Sequence, residues 1–268
     1  MTRYALTLAY DGSRFDGWQT QPSGNTVQDK LELALAAIAG HPVATICAGR
    51  TDAGVHANGQ VVHFDSPAIR PDNAWVRGVN SHLPGQVAVL HAQVVRDDFH
   101  ARYSAVQRRY VYFVVSSPVH HPLLKGRTGW VHRELDVTRM RDAAQTLAGT
   151  HDFSAFRSSQ CQANSPVRTL NSIEVSSSGR MVRLAFNANA FLHHMIRNIV
   201  GTLIYIGDGR RPVTWARELL NACDRKLAAP TFAPDGLYFD SVVYPKDDAI
   251  VTRPAGFEPG LLSGQAVG

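Results

Sequence analysis

The pattern of apolar positions changes period along the chain, from the two-residue repeat of strands to the longer repeat of helices. Apolar residues alternate over Tyr4–Tyr10, which predicts a half-buried strand. Val27–Ile38 instead carries apolar residues at helical spacing, with Thr26 as the predicted N-cap and Gly40 at the end of the helix. The same reasoning predicts strands at 60–65 and 87–95 and a short helix at 72–80.

The second half of the chain repeats this mixture. Arg109–Val115 is rich in aromatic and β-branched residues, which is typical of a strand. Alternation on both sides of Ser177–Gly179 predicts a hairpin. We also predict helices at 137–147, 192–204 and 213–223 and a final strand at 236–244. These elements indicate an α+β fold of two similar halves, 1–104 and 105–245, followed by a loose tail at 246–268.

The composition is that of a globular protein and favours polyanionic partners. The 268 residues are 44% hydrophobic, enough for one large domain or two small ones. The net charge is +5, and 23 of the 27 basic residues are arginines, which bind phosphate through paired hydrogen bonds and stack on bases. A GC-rich genome would also raise the arginine content, so the excess does not by itself identify a ligand.

No segment predicts secretion or membrane insertion. There is no run of about 18 apolar residues of the kind that spans a bilayer, and Met1–Tyr4 leads into a strand without the apolar region of a signal peptide. Cys47, Cys161 and Cys223 are far apart in sequence and lack zinc-binding spacing. We therefore expect a cytoplasmic protein without membrane association or a disulfide framework.

The run Gly49–Ala57 concentrates chemically active side chains among small residues. Arg50, Asp52 and His56 lie within seven positions, and the glycines and alanines around them leave room for a ligand beside the backbone. Flanking apolar stretches anchor the run in a sheet, where catalytic loops are common. Asp52 can act as a nucleophile, a general base or a metal ligand; the alternative is a turn with a structural ion pair.

Three further segments carry candidate binding or catalytic residues. Arginines alternate with aromatic residues over Asp98–Tyr112, which suits phosphate binding and base stacking, although an ordinary strand with solvated arginines also fits. The polar, serine-rich segment at 151–168 contains a loop of about 15 residues, and long loops are often functional. Arg197 interrupts an apolar helix and needs either a carboxylate partner, for which Asp52 is the candidate, or a route to solvent.

The sequence does not predict a metal site. His193 and His194 are adjacent candidates, but neighbouring side chains on a helix point about 100° apart and do not easily face one ion. No HExxH or paired-carboxylate motif is present.

In their joint order these segments resemble the bacterial TruA family of tRNA pseudouridine synthases. The resemblance extends over most of the chain up to Pro245, and Phe239 stands where relatives more often carry leucine. The matching stretches are Tyr10–Gly12, Gly17–Gln19, Gly49–Ala57, Gly59–Phe64, Phe99–Ala105, Asp152–Phe156, Cys161–Gln162, Asn189–Gly201 and Gly236–Phe239.

The resemblance implies two α+β halves, each an antiparallel sheet flanked by helices, with a basic cleft between them. It also implies a homodimer that binds the anticodon stem-loop of tRNA across both subunits. The expected reaction isomerises uridines at tRNA positions 38, 39 and 40 to pseudouridine, with no cofactor and no metal.

The resemblance also assigns residue roles. It makes Asp52 the nucleophile, paired with Arg197, and Tyr110 a catalytic residue that stacks on the target base and helps proton transfer. Whether Asp52 attacks the ribose, attacks the uracil ring or first takes a 2′ proton stays open. Arg50 would either occupy the space vacated by a uridine that leaves the stack or hold the flipped nucleotide, and Leu237 would pack on the uracil. The expected tRNA contacts are Phe99, His100, Ala101, Arg102, Tyr103, Gln160, Cys161, Gln162, Ala163 and Asn164.

Other classes of protein compete with this interpretation. A non-catalytic RNA-binding protein would share the basic segments, but Asp52, Arg197 and Tyr110 together argue against it. A hydrolase or nuclease would use Asp52 with His56 or His193, and a metal-dependent one would stop when the metal is chelated. Within the enzyme class, a synthase that modifies another RNA site is the alternative.

Overall fold

The computed structural model describes residues 1–71 and 73–252, and the chain divides into two compact units. The first unit contains Met1–Val106 together with the chain from Phe239 onward, and the second contains Gln107–Tyr238. The boundary between Val106 and Gln107 lies close to the predicted boundary at 104/105. The boundary between Tyr238 and Phe239 differs from the predicted boundary at 245/246, because most of the last strand belongs to the sheet of the first unit.

The first unit is a sheet of antiparallel neighbours accompanied by two helices. Strand β1 lies between β3 and β4 and pairs antiparallel with both, and the short β2 pairs with β3. The strands and helices are β1 (Thr2–Tyr10), α1 (Val27–Ala39), β2 (Ile46–Cys47), β3 (His56–Ser66), α2 (Val79–His82) and β4 (Val87–Val95). The rings of Tyr4, Phe64 and Trp75 lie 5.0–5.3 Å apart at the centre of its core.

Helix α1 forms, as predicted, between the N-cap Thr26 and the terminating Gly40. The Thr26 hydroxyl accepts the Asp29 N–H while the Asp29 carboxylate accepts the Thr26 N–H, which completes a capping box. The helix ends at Gly40, whose φ of 80° is the left-handed conformation of a helix C-cap. Its apolar stripe, which includes Leu31 and Leu35, is buried.

The second unit is a mixed sheet with three helices. Its main strands run in the order β5-β9-β8-β7 with antiparallel pairing of β5 with β9, β9 with β8 and β8 with β7, and β6 pairs parallel with β5. The elements are β5 (Gln107–Ser116), β6 (Gly129–Val131), α3 (Val137–Gln145), β7 (Gly149–Asp152), β8 (Val167–Ser178), β9 (Met181–Ala188), α4 (Met195–Gly207) and α5 (Trp215–Ala222). The predicted α+β class, with helices and an antiparallel or mixed sheet in each half, is confirmed.

The last strand, β10 (Leu237–Val243), begins in the second unit and continues in the first beside β3. The chain after it was expected to form a loose tail. Instead the Val251 N–H donates to the Gln93 side chain at 3.0 Å, and Asp248 pairs with Arg96 at 2.8 Å. Residues 253–268 of that tail lie outside the described residues.

Several helix boundaries differ from the predictions by a few residues. Helix α4 begins at Met195 instead of 192, because His194 has a left-handed φ of 63° that a helix cannot include. Gly149 does not follow α3 directly but starts β7. The helix predicted at 72–80 is a π-helical turn, Ala74–Gly78, followed by α2; its expected first residue lies outside the described residues.

Within residues 1–71 and 73–252, no helix has both the length and the apolar character needed to cross a bilayer.

Candidate active site

The run Gly49–Ala57 forms the loop between β2 and β3 and the first two residues of β3, and buried side chains fix its backbone. The Trp18 N–H donates to the Thr51 carbonyl at 3.0 Å, and the Thr51 hydroxyl is hydrogen-bonded to the Tyr10 phenol at 2.9 Å. Both aromatic side chains are buried. Burial raises the pKa of Tyr10, so this phenol stays protonated. The residue immediately before Asp52 is therefore rigidly anchored.

Asp52 itself lies at the half-buried edge of this loop. Its carbonyl accepts the Val55 N–H at 3.1 Å, and the Gln60 side chain donates to the Gly49 carbonyl at 2.6 Å. Arg50 is exposed two positions earlier. The first unit thus presents a carboxylate and a guanidinium on one ordered loop, an arrangement that suits a reaction on an anionic substrate.

Two glycines allow the turn after β1 to pack directly on this loop. A Cβ at Gly12 would lie 1.9 Å from the Val55 carbonyl oxygen, and a Cβ at Gly17 would lie 2.9 Å from the Thr51 carbonyl oxygen. Gly17 also has a φ of 95°, which side chains rarely adopt. These positions explain why the stretches Tyr10–Gly12 and Gly17–Gln19 accompany the Asp52 loop in the sequence.

His56 has a structural position in the same turn. It is 2% exposed, and its Nδ1 accepts the Gly12 N–H at 3.1 Å while lying 3.3 Å from the Asp11 carboxylate. A general base needs a nitrogen that is available to a substrate. The geometry therefore does not favour the hydrolase interpretation in which His56 assists Asp52.

Some residues of the predicted RNA-binding segment at 99–103 are buried and others are exposed. Phe99 and Ala101 are in the core, His100 is half-buried, and Arg102 and Tyr103 are exposed. The side chains of Phe99 and Ala101 hold the segment in place and are not available to a ligand. The exposed pair remains as the candidate contact.

Two buried residues that sequence reasoning missed fix this segment. His63 accepts the Ala101 N–H through Nδ1 at 3.1 Å, and the Tyr244 phenol donates to the Ala101 carbonyl at 2.7 Å. Burial, then the neighbouring charges of His100 and Arg3, lower the pKa of His63 to about 4. A histidine at an inward position of β3 was the available signal, since such a polar residue needs a partner.

In the second unit, Arg197 lies in the first turn of α4. Its Nε donates to the Phe232 carbonyl at 2.8 Å, and the Phe232 N–H returns a hydrogen bond to the Arg197 carbonyl at 3.3 Å. The next residue, Asn198, is fully buried and accepts hydrogen bonds from Thr231 and Arg225. The half-buried guanidinium is therefore oriented by the segment that precedes β10.

Tyr110 and Leu237 are buried residues of the same unit. Tyr110 lies on β5 with its ring edge-to-face with Phe191, 5.1 Å between centroids. Leu237 starts β10, after Gly236, where a Cβ would lie 2.3 Å from the Phe113 carbonyl oxygen. Glycine is thus required for the close approach that positions Leu237.

The loop containing Gln160–Asn164 is organised by one arginine. Arg157 donates to the carbonyls of Cys161 and Ala163, both at 2.7 Å. Burial acts to raise the pKa of Cys161, but the N–H groups of Ala163 and His193 and the charge of Arg157 lower it overall. The side chains of Gln160, Gln162 and Asn164 are exposed, so this loop offers amides to a ligand.

Comparison with known proteins shows the family to which the chain belongs. A family model described as tRNA pseudouridine synthase matches residues 7–104 and 143–245. The match includes the Asp52 loop, the segment at 99–103, the loop at 160–164 and α4. The chain therefore belongs to the tRNA pseudouridine synthase family.

Individual relatives are similar over nearly their whole length. The chain is 57% identical to tRNA pseudouridine synthase A of Dechloromonas aromatica (strain RCB), covering 97% of this chain and 99% of the relative. It is 55% identical to the protein of that name from Paraburkholderia xenovorans (strain LB400), covering 97% and 96%. The crystal structure of a Cbf5-Nop10-Gar1 complex aligns with 11% identity and a TM-score of 0.33 over 84% of this chain and 60% of that chain, which is too low to carry an argument.

Proposed function

We propose that this protein isomerises uridine to pseudouridine at positions 38, 39 and 40 in the anticodon stem-loop of tRNA. The observation that carries the proposal is the joint presence of family membership and an ordered loop that presents Asp52 beside the exposed Arg50. A tRNA substrate implies action in the cytoplasm.

The chemistry suits a single carboxylate. The C1′–N1 bond of the uridine breaks, a C1′–C5 bond forms, the proton on C5 leaves to solvent and N1 takes a proton. Atoms and electrons balance without an oxidant or reductant, so the protein has to supply a nucleophile or base and an oriented substrate. We assign the first role to Asp52.

Residues of the second unit complete the proposed machinery on the strength of the family resemblance. Arg197 would keep Asp52 ionised, because a nearby cation lowers the pKa of a carboxyl group. Tyr110 would stack on the target base and help proton transfer, and Leu237 would pack against the uracil. The hydrogen bonds of Arg197 with Phe232 support an oriented guanidinium.

Arg50 would occupy the position of the uridine that leaves the stack, since a base in a stem is out of reach until it is extruded. Arg50→Ala should then bind tRNA but slow the single-turnover rate, whereas Arg14→Ala, which removes another exposed arginine of the same unit, should react normally. A normal rate for Arg50→Ala would exclude the extrusion role.

We also propose that the protein acts as a homodimer whose tRNA contacts both subunits. Light scattering during size-exclusion chromatography should give twice the chain mass of 29.3 kDa. A monomer that retains full turnover would contradict this part of the proposal.

Tritium release from tRNA labelled with [5-³H]uridine tests the reaction, because the C5 proton must leave. We expect release without strand cleavage, unchanged by EDTA, and pseudouridine at positions 38, 39 and 40. Absence of release would refute the proposal, modification elsewhere would favour a different RNA site, and EDTA-sensitive cleavage would favour a nuclease.

A further inference from the structure

Tyr103 is an aromatic side chain displayed to solvent on a backbone that does not move freely. It is 75% exposed. Its N–H and that of Arg102 both donate to His100 Nδ1, at 3.1 and 3.2 Å, and the His100 N–H donates to the Ser104 hydroxyl at 3.0 Å. Together with the bonds that fix Ala101, these contacts leave the turn little freedom.

The base of this turn is also anchored to the sheet. Arg3 forms a two-bond pair with Asp65, at 2.7 and 2.8 Å, and donates to the carbonyls of Asp97 and Phe99. An exposed ring on such a support loses little conformational entropy when it binds a flat ligand, which increases affinity.

The ring of Tyr103 ends a short column of aromatic rings. The His63 and His100 rings are 4.8 Å apart with a tilt of 58°, and the His100 and Tyr103 rings are 4.3 Å apart with a tilt of 32°. His63 is buried and His100 is half-buried, whereas the Tyr103 ring is accessible. One more flat ring would extend the column into solvent.

The charges near Tyr103 are positive. The Arg102 guanidinium carbon lies 5.6 Å from the Tyr103 ring centroid. His63, which accepts the Ala101 N–H, is paired in the sheet with Ile46 of β2, and β2 leads into the Asp52 loop. The outer ring therefore lies on the side of the first unit where the Asp52 loop begins, which suits an anionic polymer that carries rings.

We propose that Tyr103 stacks on an unpaired nucleobase of the bound tRNA while Arg102 contacts the adjoining phosphate. This inference rests on the proposed function and adds base recognition to a segment for which the family resemblance implied only tRNA contact. A second protein copy is a poorer occupant, because RNA supplies a flat base and an adjoining phosphate with every nucleotide, whereas a protein surface rarely places an exposed ring beside an anionic group.

The test uses the full chain and anticodon stem-loop RNAs that carry 2-aminopurine at one unpaired position at a time, because stacking quenches this base. Quenching at one position should be present with the unchanged chain and with Tyr103→Phe and be absent with Tyr103→Leu. Tyr103→Leu should weaken binding roughly 5- to 150-fold, the range for loss of one base–aromatic stack. Ile69→Ala, which removes an exposed apolar side chain of the same unit, should change neither the quenching nor the affinity for the RNA.

Salt dependence separates the stack from a phosphate contact. Tyr103→Leu should leave the slope of log Kd against log salt unchanged, whereas Arg102→Ala should reduce it by about 1. Quenching that survives Tyr103→Leu at every position would overturn the inference, as would a change in oligomeric state with unchanged tRNA affinity. If the unchanged chain releases no tritium from labelled tRNA, the proposed function fails instead.

Discussion

At the scale of single residues, the sequence was most informative where unusual side chains are crowded together. Asp52 and Arg50 stood out because charged side chains among glycines and alanines do not contribute to a hydrophobic core. His63 did not stand out, because its role is a hydrogen bond to a backbone N–H from a distant part of the chain. No local pattern encodes such a partner. Sequence also could not tell that Phe99 is buried while Tyr103 is exposed.

The lowered pKa of His63 predicts a pH-dependent loss of stability. The unfolded chain takes up a proton near pH 6.5, whereas the folded chain does so only near pH 4. Stability from this group is therefore complete above pH 6.5 and falls between pH 6.5 and 4, because the unfolded state binds the proton first. At pH 5 the loss should be roughly 1–2 kcal/mol.

Urea unfolding at pH 7 and pH 5 measures this loss. His63→Gln, which keeps an acceptor without a titrating ring, should lose less stability between the two pH values than the unchanged chain. His82→Gln, at an exposed position, should behave like the unchanged chain. An identical pH slope for His63→Gln would show that His63 is not the responsible group.

At the scale of elements, regular periodicity predicted most strands and helices, and the errors occurred where tertiary contacts decide the ends. The start of α4 is displaced by the left-handed His194, and β3 begins at His56, inside the run that was expected to be loop. Short strands such as β2 and β6 have too few residues to show a period. Their pairing is set by neighbours that are distant in sequence.

The close approach at Gly17 predicts that this residue positions the Asp52 loop. Gly17→Ala should destabilise the fold and lower turnover, because the new Cβ meets the Thr51 carbonyl at 2.9 Å in a backbone conformation with φ of 95°. Gly24→Ala is the matched control, since Gly24 has a φ of 63° but no atom within 4 Å of the added Cβ.

Thermal unfolding and single-turnover rates should therefore separate the two variants. Each carries backbone strain of about 1 kcal/mol, but only Gly17→Ala should also reduce the rate. Equal rates in Gly17→Ala and Gly24→Ala would show that the packing of this turn does not position the reactive carboxylate.

At the scale of the whole molecule, composition indicated the kind of partner, and the joint order of short motifs indicated the family. The match over residues 7–104 and 143–245 bears out that interpretation. The boundary between Tyr238 and Phe239 could not be predicted, because nothing in the local composition shows that the chain returns to the sheet of the first unit at Phe239. Whether a strand late in the chain pairs with the sheet of an earlier unit is decided by the topology of the whole fold.

The excess of 27 basic over 22 acidic residues predicts tRNA binding that weakens steeply with salt. Phosphate contacts release counterions, so log Kd should rise linearly with log salt, with a slope of about 0.9 for each neutralised phosphate of a duplex. Sucrose at matched osmolality should have little effect. A flat salt response in a filter-binding titration would exclude extensive contact with the RNA backbone.

The central claim is that Asp52 performs the isomerisation, and tritium release by Asp52→Asn tests it most directly. Asp16→Asn is the control, because Asp16 is an exposed acidic residue of the same unit. We expect Asp52→Asn to bind [5-³H]uridine-labelled tRNA with near-normal affinity but release no tritium, while Asp16→Asn reacts at the normal rate. Release by Asp52→Asn at a rate comparable with the unchanged chain would contradict the account.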